Sequence, residues 1–173
     1  MRKLLTLPAI ALLLLFSLPA NATSIREIAN VEITAPYSFA TAASQKNGVI
    51  LFTIHNKADM DLRITNAYVK PDIADRAELH THIMDGDKMM MRQVEGYDIP
   101  AGEHLILSPM GDHIMMMDLL APLALGEMIE VTLSFEDGSM VQFEAPVIAP
   151  GTKPEDSTNQ ETDIHDHQDH SHH

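Results

Sequence analysis

Between residues 29 and 148 the chain alternates short apolar and β-branched runs with turn signals, and no long stretch carries a helical period. The runs are Val31-Thr34, Val49-His55, Leu62-Val69, Ala77-Met84, Met89-Val94, His104-Leu107, His113-Met117, Glu127-Phe135 and Met140-Val147. Asn47-Gly48, Asp85-Gly86, Pro100-Ala101-Gly102 and Asp137-Gly138 mark the turns between them. Many short strands at this spacing predict an all-β single domain, an antiparallel sandwich or barrel.

Strand alternation sorts the side chains by face. His113 and Met115 point one way, and Ile114 and Met116 point the other, toward the expected core. On the earlier strand His80, His82 and Met84 share a face opposite Leu79, Thr81 and Ile83. Asp85-Gly86-Asp87-Lys88 reads as a hairpin turn. If Met84 pairs with Met89, His82 falls opposite Met91 and His80 lies diagonal to Met91. Diagonal neighbours are about 7–8 Å apart, within reach of long side chains.

The two ends differ from this domain. Arg2 and Lys3 precede an apolar run from Leu4 to about Leu18, and Ala20-Asn21-Ala22 is a small-x-small cleavage site. A secretory signal peptide is expected over residues 1–22, leaving Thr23 first. With no cysteine to carry a lipid, an acyl anchor is not expected. The folded domain is expected over 23–150. Residues 151–173 are acidic and His-rich, with Ile164 almost their only apolar residue, and are expected to form a disordered tail. His165, His167, His170, His172 and His173 alternate there with Asp163, Asp166 and Asp169, a composition suited to divalent metal.

Charge and composition narrow the chemistry. A formal net charge of -14 with no basic cluster argues against nucleic acid as a partner. The absence of cysteine excludes a blue-copper electron-transfer site and thiol chemistry. No G-x-S-x-G context supplies a hydrolase nucleophile. The expected mature terminus, Thr23, cannot form an N-terminal histidine brace. A non-enzymatic role is therefore expected.

His80, Met91, His113 and Met115 form the pattern H-x10-M-x21-H-x-M. Two imidazoles and two soft, uncharged thioethers suit Cu(I) better than any hard cation. His82, Met84 and Met89 are additional candidates on the same face. His55 and His104 read as ordinary strand residues.

With Glu78-Leu79-His80, Met89-Met90-Met91-Arg92 and Gly111-Asp112-His113-Ile114-Met115-Met116-Met117 around it, this pattern resembles the PCuAC family of periplasmic copper(I) chaperones. Gly126-Glu127 and Phe135-Glu136-Asp137-Gly138 resemble that family's final hairpin, so the likeness covers roughly residues 29 to 148. It implies a cupredoxin-like Greek-key β-sandwich with one Cu(I) site formed by His80, Met91, His113 and Met115. It also implies delivery in the periplasm, to the copper-A centre of cytochrome c oxidase or to a Sco-type chaperone. His82 departs from the commonest pattern, in which Met often follows the first His closely. The His-rich tail resembles extensions that bind Cu(II) in some relatives. A monomer is expected, with a metal-bridged dimer as the alternative. The rival reading is a periplasmic copper or zinc sequestration and tolerance protein, which would hold several ions and pass none on.

Overall fold

A computed structural model describes residues 30–154. The leader expected over 1–22 and the five tail histidines lie outside the described residues. Ten strands follow in order: β1 Val31–Phe39, β2 Gly48–Asn56, β3 Leu62–Val69, β4 Ala74–Asp85, β5 Lys88–Gln93, β6 Tyr97–Ile99, β7 His104–Ile106, β8 His113–Leu119, β9 Met128–Phe135 and β10 Met140–Ile148. Their hydrogen-bonded order is β5-β4-β8-β2-β1-β10-β9-β3-β6, with β7 pairing on β2 beyond the end of β8. The path is open, so the chain forms a sandwich and not a closed barrel. Among the described residues only the β1–β10 join is parallel; the other strand pairs are antiparallel.

Inward residues of both halves make one core. Ile50, Phe52 and Ile54 of β2, Leu79 of β4, and Ile114 and Met116 of β8 pack with Ile64, Ile129, Val131, Leu133 and Val147. The inward assignment of Ile114 and Met116 holds, since both are fully buried. Each such side chain contributes about 1.5–3 kcal/mol on burial. This layer fixes the opposite orientation of His113 and Met115.

Three elements differ from the sequence expectation by more than two residues. β1 continues past Thr34 to Phe39 through a bulge between Thr34 and Tyr37, with Ala35 at φ 47°. Pro36 has no N–H for the ladder, and the bulge absorbs that defect before Ser38 and Phe39 pair with β10. β4 starts at Ala74, ahead of the expected Ala77. β6 was not expected at all. It packs so closely on β3 that a Cβ at Gly96 would sit 2.6 Å from the Ile64 carbonyl oxygen. Only glycine permits that approach.

Candidate metal centre

The two-residue turn Gly86-Asp87 brings β5 back along β4. Gly86 has φ 62°, while Asp87 has no positive φ, as a type II′ turn requires. Met84 pairs with Met89, His82 with Met91, and His80 with Gln93. The expected hairpin register is therefore the observed one. On the other side of β4, His80 pairs with His113 and Glu78 with Met115. Glu78, His80, His82, Met91, His113 and Met115 thus share the outer face of three adjacent strands.

His113 is the centre of this group. It is 1 % exposed although it lies on the outer face, because its neighbours cover it. The His80 ring lies 6.0 Å away and the His82 ring 5.2 Å away, centroid to centroid. Its Nδ1 donates to the Gly111 carbonyl at 2.9 Å. A carbonyl only accepts, so the proton belongs on Nδ1 and Nε2 keeps a bare lone pair. That Nε2 lies 3.2 Å from the Met91 sulfur, itself only a weak acceptor. Two lone-pair donors face each other with no proton between them, an arrangement that a soft cation relieves. Burial is the main cause holding the His113 ring below its ordinary pKa, with His82 and His80 adding to the effect and the Gly111 bond opposing it. The ring is kept neutral, as a metal ligand must be.

His80 is held from one side only. Its Nε2 lies 2.9 Å from Glu78 Oε2, and Glu78 Oε1 takes a 2.7 Å bond from Arg76 Nε. The bonds to His80 and Arg76, in that order, hold the Glu78 carboxyl below its usual pKa. An ionised Glu78 accepts the Nε2 proton, which leaves Nδ1 of His80 as the free lone pair. That Nδ1 is buried and has no hydrogen-bond partner. A buried polar atom without a partner is costly unless something fills it.

The remaining candidates are placed as follows. Met115 is half-buried beside His113 on β8 and opposite Glu78. His82 is half-buried, and its Nδ1 lies 3.3 Å from the Gly111 carbonyl. Met84 and Met89 are paired at the hairpin tip and exposed. Among the described residues no three His, Cys, Asp or Glu side chains are arranged to hold a metal ion. Any metal held here would have to draw on thioether sulfur, a ligand type that suits soft ions.

Two supporting groups, Tyr97 and the Gly111 carbonyl, escape a reading by motif. The Tyr97 hydroxyl reaches the His80 carbonyl at 2.6 Å and the His113 carbonyl at 2.7 Å, tying together the strand positions of both histidines. Desolvation raises its pKa, so it stays a donor. Glu78 was legible as an i, i+2 neighbour of His80. The Gly111 carbonyl carries no side-chain signal.

The LpqE-like family, described as "Putative lipoprotein LpqE-like", matches residues 31–147. A protein of Leifsonia xyli subsp. xyli, named "Putative lipoprotein Lxx21020", is 45% identical over 75 residues, covering 43% of this chain and 45% of its own length. The aligned part therefore spans less than half of that relative. The 173 residues of the present chain contain no cysteine. Among solved structures, a copper-bound PCuAC domain from PmoF2 is 21% identical, covers 70% of this chain and 94% of its own, and superposes with TM-score 0.58. The Cu(I) form of DR1885 from Deinococcus radiodurans is 27% identical, covers 70% and 82%, and gives TM-score 0.54. The fold is the cupredoxin-like one of PCuAC domains, as the sequence resemblance implied.

Proposed function

The chain belongs to the LpqE-like family, and from that premise we propose that it is an exported copper carrier that binds Cu(I) and hands it to a copper-accepting protein. His80, Met91, His113 and Met115 are the proposed ligands. One observation carries the reading: His113 Nε2, stripped of its proton by the Gly111 bond, faces the Met91 sulfur at 3.2 Å. The partnerless Nδ1 of His80 supplies a second imidazole lone pair beside it. The copper named in the two structural relatives supports the same ion.

The donor set explains why the protein would carry and not catalyse. Thioethers need no deprotonation, so only the imidazoles compete with protons for the metal. Neutral sulfur ligands at a half-exposed edge exchange one at a time with an acceptor's ligands. Glu78, braced by Arg76, holds the His80 ring while this happens, as carboxylates commonly do for metal-bound histidines. The family and relative names support export, and the periplasm is the proposed compartment. Cytochrome c oxidase's copper-A subunit or a Sco-type chaperone is the proposed recipient. Among the described residues no helix is long and apolar enough to cross a membrane. The histidines of residues 165–173 are proposed to capture Cu(II) separately.

The test is anaerobic Cu(I) titration of the full chain against a competing chelator, beside a Met91→Ala/Met115→Ala variant. The expected result is one tight equivalent that the double variant loses, followed by transfer to an apo acceptor. No Cu(I) bound by the wild type would sink the reading. Several ions bound and none transferred would favour sequestration.

A further inference from the structure

The thioethers of the β4–β5 hairpin are arranged in a way that neither folding nor the four-ligand site explains. Met84 is 63% exposed and Met89 49% exposed, and the two sit directly opposite each other in the ladder. Cross-strand partners have Cβ atoms about 4.5–5.5 Å apart, close enough for two flexible thioethers to meet on one ion. The next pair on the same face is His82 and Met91, and Met91 touches His113. Soft donors therefore run in register from the solvent-exposed hairpin tip to the buried imidazole. Met90, on the opposite face, is also exposed, so sulfur surrounds the tip. Asp85 and Asp87 stand at the turn and outnumber Lys88, the cross-strand partner of Asp85, so the charge of the turn itself favours a cation.

Burial does not account for these residues. An exposed methionine contributes little apolar burial, and an edge strand is safer with charged residues than with a run of three methionines. The edge is nonetheless left apolar where soft donors are useful.

We propose that Met84 and Met89 form a second, weaker soft-ion station at the hairpin tip, and that Cu(I) passes between it and the His113 site by way of His82 and Met91. The proposal rests on the carrier reading and adds the route by which the ion enters and leaves. Each step exchanges one neutral ligand for another on Cu(I). No electron is transferred, and the metal stays in one oxidation state throughout. The tip station captures the ion first because it is exposed. The deeper site then holds it because two imidazoles replace thioethers. In the outward direction the tip presents the ion, in two-sulfur coordination, to an acceptor's ligands.

The experiment uses the full chain and a Met84→Leu/Met89→Leu variant, in which leucine keeps the apolar volume and removes the sulfur. Cu(I) is supplied as a coloured chelator complex, and loading is followed by stopped flow without oxygen. A second readout follows the 13C-labelled methionine methyl resonances of the wild type during the titration. The expected result is a loading rate lower by about tenfold or more in the variant, since prior capture raises the local ion concentration at the deeper site. One tight equivalent is retained in the variant. The methyl signals of Met84 and Met89 are expected to shift in the wild type as a second equivalent is added. Equal loading rates with unmoved Met84 and Met89 methyl signals would overturn the route while leaving the carrier reading intact. A wild type that binds no Cu(I) would overturn both.

Discussion

Two cross-strand histidine pairs lie on the same face of one sheet, and they have different chemistry. His80 and His113 pair between β4 and β8, and His55 and His104 pair between β2 and β7. Val49 on β2 pairs with Met115, and alternation puts His55 on that same face. The second pair is stacked, with ring centroids 3.9 Å apart and 12° between planes. The Asn56 N–H bonds the Glu103 carbonyl and the Leu107 N–H bonds the Phe52 carbonyl on either side, so His55 and His104 occupy the close, non-hydrogen-bonded position of the ladder. Their neighbours are charged: Glu32 lies 4.0 Å from His55 and also pairs with Lys57. The first pair is 6.0 Å apart, tilted by 45°, and bordered by Met91 and Met115. Parallel rings aim their in-plane lone pairs side by side. Tilted rings with one nitrogen each occupied by Glu78 or Gly111 leave the other nitrogen free. Two histidines in register therefore do not by themselves suit a soft metal; the fixed tautomers and adjacent sulfur are what support the proposed site at the first pair.

The strongest way to break this contrast is to remove sulfur from one pair and imidazole from the other. Met91→Leu is expected to weaken Cu(I) binding by about 100-fold or more, since loss of an outer-shell partner alone costs up to that much. His104→Ala is expected to change it by less than about twofold, as separate sites act independently. Chelator competition measures both, and equal effects would erase the distinction. A smaller effect is expected for Glu78→Gln, about tenfold weaker binding through loss of the ionised partner of His80. An unchanged affinity would show that His80 needs no carboxylate to orient it.

Two further tests address stability. Tyr97→Phe removes a buried hydroxyl from the His80 and His113 carbonyls, and about 1–3 kcal/mol of stability is expected to go with it. Calorimetry should register this as a lower Tm, and an unchanged Tm would remove Tyr97 from the site's framework. Acid should act through His113. Its folded pKa lies below the ordinary 6.5, so the unfolded ring takes up a proton more readily. That contribution to stability is full above the unfolded value and is lost as pH falls through the lower folded value. The Tm of the metal-free chain should therefore fall with acidification below about 6.5, and His113→Asn should flatten the slope. The smallest effect belongs to the second pair: Glu32→Gln alters an exposed ion pair with Lys57 and should leave the Tm unchanged in ordinary salt. A clear loss there would mean that the stacked pair is more deeply coupled to the fold than its exposure implies.

Much of the hairpin was legible beforehand because it is local. Asp85-Gly86-Asp87-Lys88 allows a two-residue turn, and that turn dictates every partner from Met84 with Met89 to His82 with Met91. The faces of Ile114 and Met116 followed from a period of two and one buried layer. Tyr97-Asp98-Ile99 is too short to give a periodic signal for β6, and Ala35-Pro36 resembles a strand end inside β1. The stacking of His55 on His104 has no sequence signal, because each looks ordinary along its own strand.

Spacing and residue type in the sequence alone determined the fold class, the candidate soft donors and the hairpin register, because those depend on neighbours within a few residues. Only the tertiary structure decided that β8 lies beside β4, so that His80 meets His113. It also decided which ring nitrogen is free, through the Glu78 carboxylate and the Gly111 carbonyl. Tyr97 reaches both strands from a segment that local pattern does not mark. These are long-range contacts, set by how the layers pack, and a strand's own alternation carries no information about which strand will lie beside it.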